Sequence, residues 1–206
     1  MREMRPAAQQ ERAIATREAI LKGAGQVFSQ LSYAQARLRD ISRASAASEG
    51  ALYFHYGTKA DIATAVISAQ QERMTDVLMQ VVRVDGDALD KIGLLAQGLA
   101  ELIARDVVVQ GGIRLTGQPN LEVAPAVNEP YFEWVRIVRT LISQGVDEGS
   151  IRLDVDIDAA AELVNTVFIG SQVLSGLEDN WKSLPRRVET LRPLWISLLR
   201  RTKTQS

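Results

Sequence analysis

Apolar residues recur at helical spacing along most of the chain, and this recurrence predicts where the helices lie. Between Arg12 and Leu31 they fall three or four positions apart, which is the stripe of an amphipathic helix. Thr58 and Asp61 form a capping-box pattern that predicts the start of the longest later helix. The same reasoning predicts further helices over 38–45, 49–55, 58–82, 88–105, 107–115, 130–144, 157–177 and 184–201. No segment alternates with period two for long enough to predict a strand, so we expect an all-α protein with about nine helices.

Segments without helical periodicity set the expected domain bounds. Residues 1–11 are polar and lack an apolar period, which predicts a flexible N-terminal arm. Glycine and prolines over 117–130 predict a loop. We therefore expect a small helical domain over residues 12–60 and a larger helical domain over residues 61–206.

The two short helices of the smaller domain have the form of a helix-turn-helix. Each is about two turns long, the size of unit that fits the major groove of DNA. The second is too short to be stable alone and ends in Tyr53, His55 and Tyr56. Lys59 follows in the first turn of the next helix, where a phosphate is favoured. These donors suit contacts with a DNA backbone, so the pattern predicts binding to double-stranded DNA, with an ordinary helical hairpin as the alternative.

Charges divide unevenly between the two parts of the chain. Residues 1–60 hold nine Lys and Arg against five Asp and Glu, whereas residues 61–206 hold fifteen against twenty. A basic N-terminal part joined to an acidic remainder suits a DNA-binding module attached to a module with another ligand.

The composition argues against an enzyme, a metal site and a cofactor. The chain has no cysteine, which excludes disulfides and thiolate metal ligands. His55 is the only histidine and has no nucleophile or orienting acid beside it, so we expect no catalytic site. The acidic run 154–158 lacks the glycine and glutamate of an EF-hand loop and predicts the start of a helix instead. Gly111-Gly112 lacks the spacing of a phosphate-binding loop and predicts a kink or a helix end.

Nothing in the sequence predicts a membrane partner. The N-terminal residues are polar, and the most apolar later run, 167–177, is too short to span a bilayer. We expect a cytoplasmic protein.

Sparse polar residues on otherwise apolar helices suggest a small-molecule pocket in the larger domain. Each could instead be a surface residue or a core residue with its hydrogen bonds satisfied, but together they have the composition of a ligand site. The residues are Gln70, Thr116, Trp134, Asn165, Thr166 and Gln172.

The N-terminal part resembles the DNA-binding domain of the tetracycline-repressor (TetR) family over about residues 12–60. The resemblance rests on Thr16-Arg17-Glu18-Ala19-Ile20-Leu21 through Phe28, on Gly50-Ala51-Leu52-Tyr53-Phe54-His55-Tyr56 and on Lys59-Ala60-Asp61. It implies a homodimer that binds a palindromic operator and dimerises through its last two helices. The positions that it implies as DNA contacts are Arg39, Ser48, Glu49, Gly50, Tyr53, His55, Tyr56 and Lys59.

A narrower resemblance points to the γ-butyrolactone autoregulator receptors within that family. It rests on residues 52–56 with Gln70 fifteen positions after His55, and on the segments 112–115, 130–134 and 156–170. It implies that a small lactone-type inducer enters the larger domain and lowers the affinity for DNA. By this resemblance Trp134 covers the ligand ring, Gln70 offers a polar contact and Thr166 faces the ligand.

Three positions depart from the family pattern. Ala46-Ala47 stands where the turn usually carries Gly-Val, and Arg37 stands where a threonine usually caps the first short helix. Glu49 occupies a position that is often lysine, and an acid there repels phosphate, although it can accept a hydrogen bond from cytosine.

Two alternatives remain beside a lactone-released repressor. The protein could be a homologous regulator that senses an antibiotic or a biosynthetic intermediate. It could also be a helical small-molecule binder or enzyme without a DNA role, against which the Tyr53, His55 and Lys59 cluster argues.

Overall fold

The computed structural model describes the backbone of residues 4–118 and 129–201, and side chains over 9–118 and 134–201. These residues form nine α-helices and no strand, with one isolated bridge between Ile151 and Arg200, which confirms the predicted all-α class. The helices are α1 (Met4–Phe28), α2 (Leu38–Ser45), α3 (Glu49–Tyr56), α4 (Lys59–Val82), α5 (Ala88–Arg105), α6 (Val107–Thr116), α7 (Glu129–Glu148), α8 (Ile157–Asp179) and α9 (Leu184–Leu199).

The helix bounds follow the predicted ones closely, with one large difference at the start of the chain. α1 begins at Met4 and not near Arg12, so residues 4–11 are helical where the sequence predicted a flexible arm. Alanine, glutamine and glutamate in this segment are good helix formers without any apolar stripe. Pro6 lies in the first turn, where its missing N–H would have had no partner in the helix. Most of the predicted loop 117–130 lies outside the described residues.

The chain divides into two compact units, and the division falls inside α4. One unit comprises Met1–Arg73 and Asp106–Val127, and the other comprises Met74–Arg105 and Asn128–Ser206. The sequence predicted a boundary at residue 60, so α6 joins the first unit although the sequence placed it in the larger domain.

α6 belongs to the first unit because it approaches α1 backbone to backbone. A Cβ atom added at Gly111 would lie 2.7 Å from the carbonyl oxygen of Gly25, and one added at Gly25 would lie 2.6 Å from the Cα of Val108. The predicted helix end at Gly111-Gly112 is wrong, since both glycines lie inside α6, while the alternative of a kink stays a prediction. Glycine is required there because any side chain would push the two helices apart.

The core of the first unit holds the two short helices in place. α2 and α3 each contribute one fully buried side chain, Ile41 and Leu52. Burying a side chain of this size stabilises the fold by about 1.5–3 kcal/mol, which compensates for helices too short to be stable alone. Other buried members of this core are Ile20, Ala24, Phe28, Ile62, Val66, Val108 and Leu115.

The second unit is a group of packed helices in which α5 contacts α7 and α9, α7 contacts α8, and α8 contacts α9. Asp156 caps α8, because its Oδ1 accepts a hydrogen bond from the N–H of Ala159 at 3.0 Å. The acidic run 154–158 thus marks a helix start, as the sequence predicted. None of the described helices combines the length and the apolar character that a membrane span requires.

The turn between α2 and α3 holds Ala46 in the left-handed region of the backbone map. Its φ is 55° and its ψ is 22°, and its N–H donates to the carbonyl of Arg43. For a residue with a Cβ atom this conformation costs about 1–2 kcal/mol. The alanine that departs from the family pattern at this turn is therefore strained.

We expect Ala46→Gly to raise the free energy of unfolding by about 1 kcal/mol, because removal of the Cβ atom relieves this strain. Urea unfolding at fixed protein concentration measures the change. Ala44→Gly is the matched control: Ala44 is also exposed but lies within α2, so its replacement should lower stability by about 0.5–1 kcal/mol. Equal losses in the two variants would contradict the strain at Ala46.

Candidate nucleic-acid interface and ligand-contact residues

Caps and turns fix α2 and α3 as a helix-turn-helix. α3 begins after Ser48, whose Oγ accepts a hydrogen bond from the N–H of Ala51 at 3.1 Å. The hydroxyl of Ser42 donates to the carbonyl of Ala47 at 2.6 Å and closes the turn between the helices. α3 ends at Tyr56 and is capped by Gly57, whose φ of +77° favours glycine. The direction of α3 is thus set at both of its ends.

The departure at Arg37 leaves α2 with half of a capping box. Asp40 Oδ2 accepts a hydrogen bond from the N–H of Arg37 at 3.1 Å. The guanidinium of Arg37 has no acceptor, so it cannot satisfy a first-turn N–H in return as a threonine hydroxyl would.

Five of the predicted DNA contacts are exposed on this helix pair: Arg39 on α2, the capping residue Ser48, and Glu49, Gly50 and Tyr53 on α3. The Tyr53 side chain is 54% exposed. A Cβ atom added at Gly50 would have only the Oγ of Ser48 near it, 3.8 Å away, so the surface there is open to close approach by a partner.

Tyr56 faces α1, although the resemblance implied a DNA contact for it. Its hydroxyl donates to the carbonyl of Arg17 at 3.1 Å, and the Arg17 guanidinium lies 5.5 Å from the ring centroid. Burial raises the pKa of the Tyr56 phenol, against the opposing effect of Arg17. The phenol is therefore protonated and serves as a hydrogen-bond donor between α3 and α1.

Lys59 is likewise directed at the protein. Its Nζ donates to the carbonyls of Tyr33 at 2.8 Å and Ala36 at 3.0 Å, and lies 4.2 Å from the centroid of the Tyr33 ring. The ammonium thus fastens the segment between α1 and α2 to the first turn of α4. Its predicted contact with phosphate stays a prediction, and would require these bonds to be exchanged.

Phe54 is not among the predicted contacts, yet it is 85% exposed and is the most exposed large apolar side chain among the described residues. Its ring meets the half-buried ring of His55 edge to face, with centroids 5.2 Å apart. The position could have been found from the sequence. Phe54 follows the buried Leu52 by two residues, which turns it about 200° around the helix axis to the outer side.

The three predicted ligand contacts lie in different surroundings. Gln70 is buried in the first unit, where its Cβ would lie only 2.5 Å from a Cβ atom added at Gly112. In the second unit, Trp134 on α7 is half-buried and Thr166 on α8 is exposed. Their contacts with a ligand stay predictions.

A shallow apolar crevice lies between α5, α8 and α9 of the second unit. Its empty volume is about 250 Å³, which includes open solvent. The crevice contains none of the predicted ligand contacts. Its lining residues include Ala96, Val164, Phe168, Ser171, Val188 and Trp195.

Polar contacts tie both ends of α6 to the rest of the first unit. At its start, Asp106 accepts hydrogen bonds from the N–H of Val108 at 2.9 Å and from Nη1 of Arg73 on α4 at 2.6 Å. Beyond its end, Oε1 of Gln118 accepts a hydrogen bond from the N–H of Tyr33 at 2.9 Å. α6 is therefore anchored to α4 and to the segment that leads into α2.

Comparison with known proteins agrees with this architecture. A model of the C-terminal domain of tetracyclin repressor-like proteins matches residues 87–202. A model of the bacterial regulatory proteins of the tetR family matches residues 20–66, which include α2 and α3.

Individual relatives are similar at low identity. The chain is 25% identical to the A-factor receptor protein of Streptomyces griseus over 181 residues, which cover 88% of this chain but only 62% of that protein. A solved gamma-butyrolactone receptor (ArpA-like protein) is 25% identical, with a TM-score of 0.70 over 87% of this chain and 98% of its own.

A third relative was solved together with DNA. CprB from Streptomyces coelicolor, in complex with its biological operator sequence, is 26% identical, with a TM-score of 0.67 over 91% of this chain and 96% of its own. The family models match the helix-turn-helix and more than half of the chain. The chain therefore belongs to the TetR family of bacterial regulatory proteins, which are DNA-binding transcription factors and not enzymes.

Proposed function

We propose that the protein represses transcription as a homodimer on a palindromic operator and is released by a small γ-butyrolactone-type molecule. The observation that carries the proposal is where the protein exposes its side chains. They form the outer face of α3 and an apolar stripe along α8 and α9. The first surface suits a DNA groove and the second suits another copy of the chain.

The helix-turn-helix offers groups for both kinds of DNA contact. The guanidinium of Arg39 and the hydroxyl of Tyr53 are exposed and suit phosphate oxygens, which fix the position of the protein on the duplex. The carboxylate of Glu49 would accept a hydrogen bond from the amino group of a cytosine in the major groove. Two such helices in a dimer would engage half-sites about 34–36 Å apart, one turn of duplex.

The apolar stripe supports the homodimer. On α8, the exposed positions 163, 166, 170, 173 and 177 follow the spacing of three and four that pairs helices, and three of them are the apolar residues Leu163, Val173 and Leu177. Leu177 is 82% exposed, and Leu194 and Leu198 on α9 are 63% and 55% exposed. Exposed large apolar side chains on two helices that contact each other suit an interface, and four helices from two copies would cover them.

Thr166 lies on this same stripe. It is exposed, and at Gly170, one turn further along, an added Cβ atom would meet nothing within 4 Å. Two small residues in the middle of the stripe would let a partner helix approach closely. We therefore place Thr166 at the subunit interface, which makes its contact with a ligand the weakest of the three predicted ones.

The lactone as inducer is supported by likeness to the A-factor receptor and to the gamma-butyrolactone receptor. Trp134 is half-buried, so part of its side chain is accessible to a ligand, which would not be true of a wholly buried side chain. An antibiotic or a biosynthetic intermediate is the second candidate, since an aromatic contact suits any largely apolar small molecule.

Release from DNA would be a shift between two conformations, in which the ligand favours the one whose α3 helices are wrongly spaced for successive grooves. In the first unit, α6 touches α1 at the Gly25 and Gly111 backbones and is joined to α4 by the Arg73–Asp106 ion pair. A displacement of α6 would therefore be transmitted to both helices that hold the helix-turn-helix.

Arg39→Ala should weaken binding to operator and to random DNA about equally. Each phosphate contact that is lost makes the negative slope of log K against log salt flatter by about 0.9 per subunit. Lys59→Ala should leave this slope unchanged and lower the free energy of unfolding by about 1–3 kcal/mol, because two carbonyl groups lose their donor. Fluorescence anisotropy over a range of salt concentrations and urea unfolding measure the two effects. A flatter slope in Lys59→Ala would show that the ammonium moves to phosphate when DNA binds.

Leu177→Lys should convert the dimer to a monomer, because a charge would be buried in the interface of each subunit. Light scattering at micromolar concentration measures the mass, and loss of operator binding should accompany it because one half-site is insufficient. Leu153→Lys is the control, since Leu153 is 66% exposed in the same unit but lies outside α8 and α9. A dimeric Leu177→Lys protein would exclude this stripe as the interface.

Trp134→Ala should leave operator binding nearly intact and abolish release by γ-butyrolactones. A side chain that contacts only the ligand does not change the ligand-free equilibrium, and loss of a large aromatic contact costs roughly a hundredfold in affinity. A panel of synthetic γ-butyrolactones, titrated into the operator complex, measures release. Trp195→Ala is the control for packing: Trp195 is only 5% exposed, so its loss should cost about 3–5 kcal/mol of stability. Normal release by a folded Trp134→Ala protein would remove Trp134 from the ligand site.

A further inference from the structure

The outer face of α3 carries an aromatic ring that the fold itself does not use. Phe54 is 85% exposed, while Leu52 and Tyr56 on the opposite side of the helix hold α3 to the protein. Within the described part of the chain, its one ring contact is the edge-to-face contact with His55, with centroids 5.2 Å apart. Packing within the fold gives no reason for a phenylalanine at this exposed site, so a binding role is the better explanation.

One turn before Phe54 the outer face of α3 carries no hydrogen-bonding side chain, whereas His55, on the other side of the ring, is half-buried against its edge. Gly50 and Ala51 lie one turn earlier on the same side of α3, and side chains of a helix lean towards the preceding turn. The ring therefore stands beside a stretch of helix surface that carries only a glycine and a methyl group, and that surface stays open, since a Cβ atom added at Gly50 would have only the Oγ of Ser48 within 4 Å. Such a surface can contact the edge of a base but cannot donate or accept a hydrogen bond there.

We propose that Phe54 recognises the 5-methyl group of a thymine in each half-site of the operator. The thymine methyl is the apolar group that the four standard bases display in the major groove. An apolar ring on the outer face of a groove-binding helix would bury that methyl and disfavour bases that place a polar edge in its position. This inference rests on the proposed function, because it requires α3 to enter the major groove.

The test uses the full-length protein and deoxyuridine, which pairs like thymidine but lacks the methyl group. Duplexes that bind the wild-type protein are first selected from a random pool. Each thymine of the selected duplex is then replaced singly by uracil. At one position per half-site we expect a loss of affinity of about fourfold, the factor for burial of one methyl-sized group.

Two variants connect this loss to Phe54. Phe54→Ala should bind the unmodified duplex more weakly than the wild type and show no further loss with uracil, while its affinity for random DNA stays the same. Tyr53→Ala, which changes the neighbouring exposed aromatic residue, should keep the full uracil effect. Both residues are exposed, so circular dichroism should show wild-type helix content.

The outcomes separate the two proposals. If no sequence is enriched over random DNA, the proposed function fails. If a sequence is enriched but every uracil duplex binds the wild type normally, or if Phe54→Ala keeps the uracil effect, the assignment of Phe54 is wrong while the repressor function stands. The exposed ring would then belong to a contact with another protein.

Discussion

The DNA-binding surface depends on holding one short helix rigidly in place. α3 has eight residues, fewer than a helix needs to be stable in water. Its position comes from Leu52 in the core and from the hydrogen bond between Tyr56 and the backbone of α1. Lys59 adds a second connection, from α4 to the segment before α2. Two groups that could have contacted phosphate are thereby used to fix the helix, and the outer face is left to Phe54, Gly50 and Tyr53.

Local chemistry explains why the sequence predicted the helices so well. The capping box of Thr58 and Asp61 is present: Asp61 Oδ2 accepts a hydrogen bond from the N–H of Thr58 at 3.0 Å, and the Thr58 hydroxyl accepts one from the N–H of Asp61 at 3.1 Å. α5 begins and ends at the predicted residues, because a regular apolar stripe runs along its whole length. Apolar periodicity did not predict the start of α1, because helix propensity alone is sufficient to form a helix there without any buried stripe.

Side-chain direction could be predicted only in part. The outward position of Phe54 follows from its spacing to Leu52, so the sequence contained that information. The inward position of Lys59 could not be predicted in this way, since its partners Tyr33 and Ala36 come from another segment of the chain. The same limit applies to Gly111, whose role depends on the approach of Gly25 and not on its own neighbours. The local sequence around such a residue allows either an inward or an outward role, and contacts between distant segments decide between them.

The charges on the proposed interface suggest that affinity and discrimination come from different elements. Glu49 would repel phosphate and Phe54 carries no charge, so the uncharged hydroxyl of Tyr53 is the one group on the outer face of α3 that would add to binding that is independent of sequence. The rest of that part of the affinity must come from basic residues elsewhere in the first 60 positions, which hold nine Lys and Arg against five Asp and Glu. A carboxylate and an apolar ring in the groove penalise mismatched bases more than they stabilise matched ones. In this arrangement α3 would act mainly by rejecting wrong sequences, while exposed cations such as Arg39 keep the protein on the duplex.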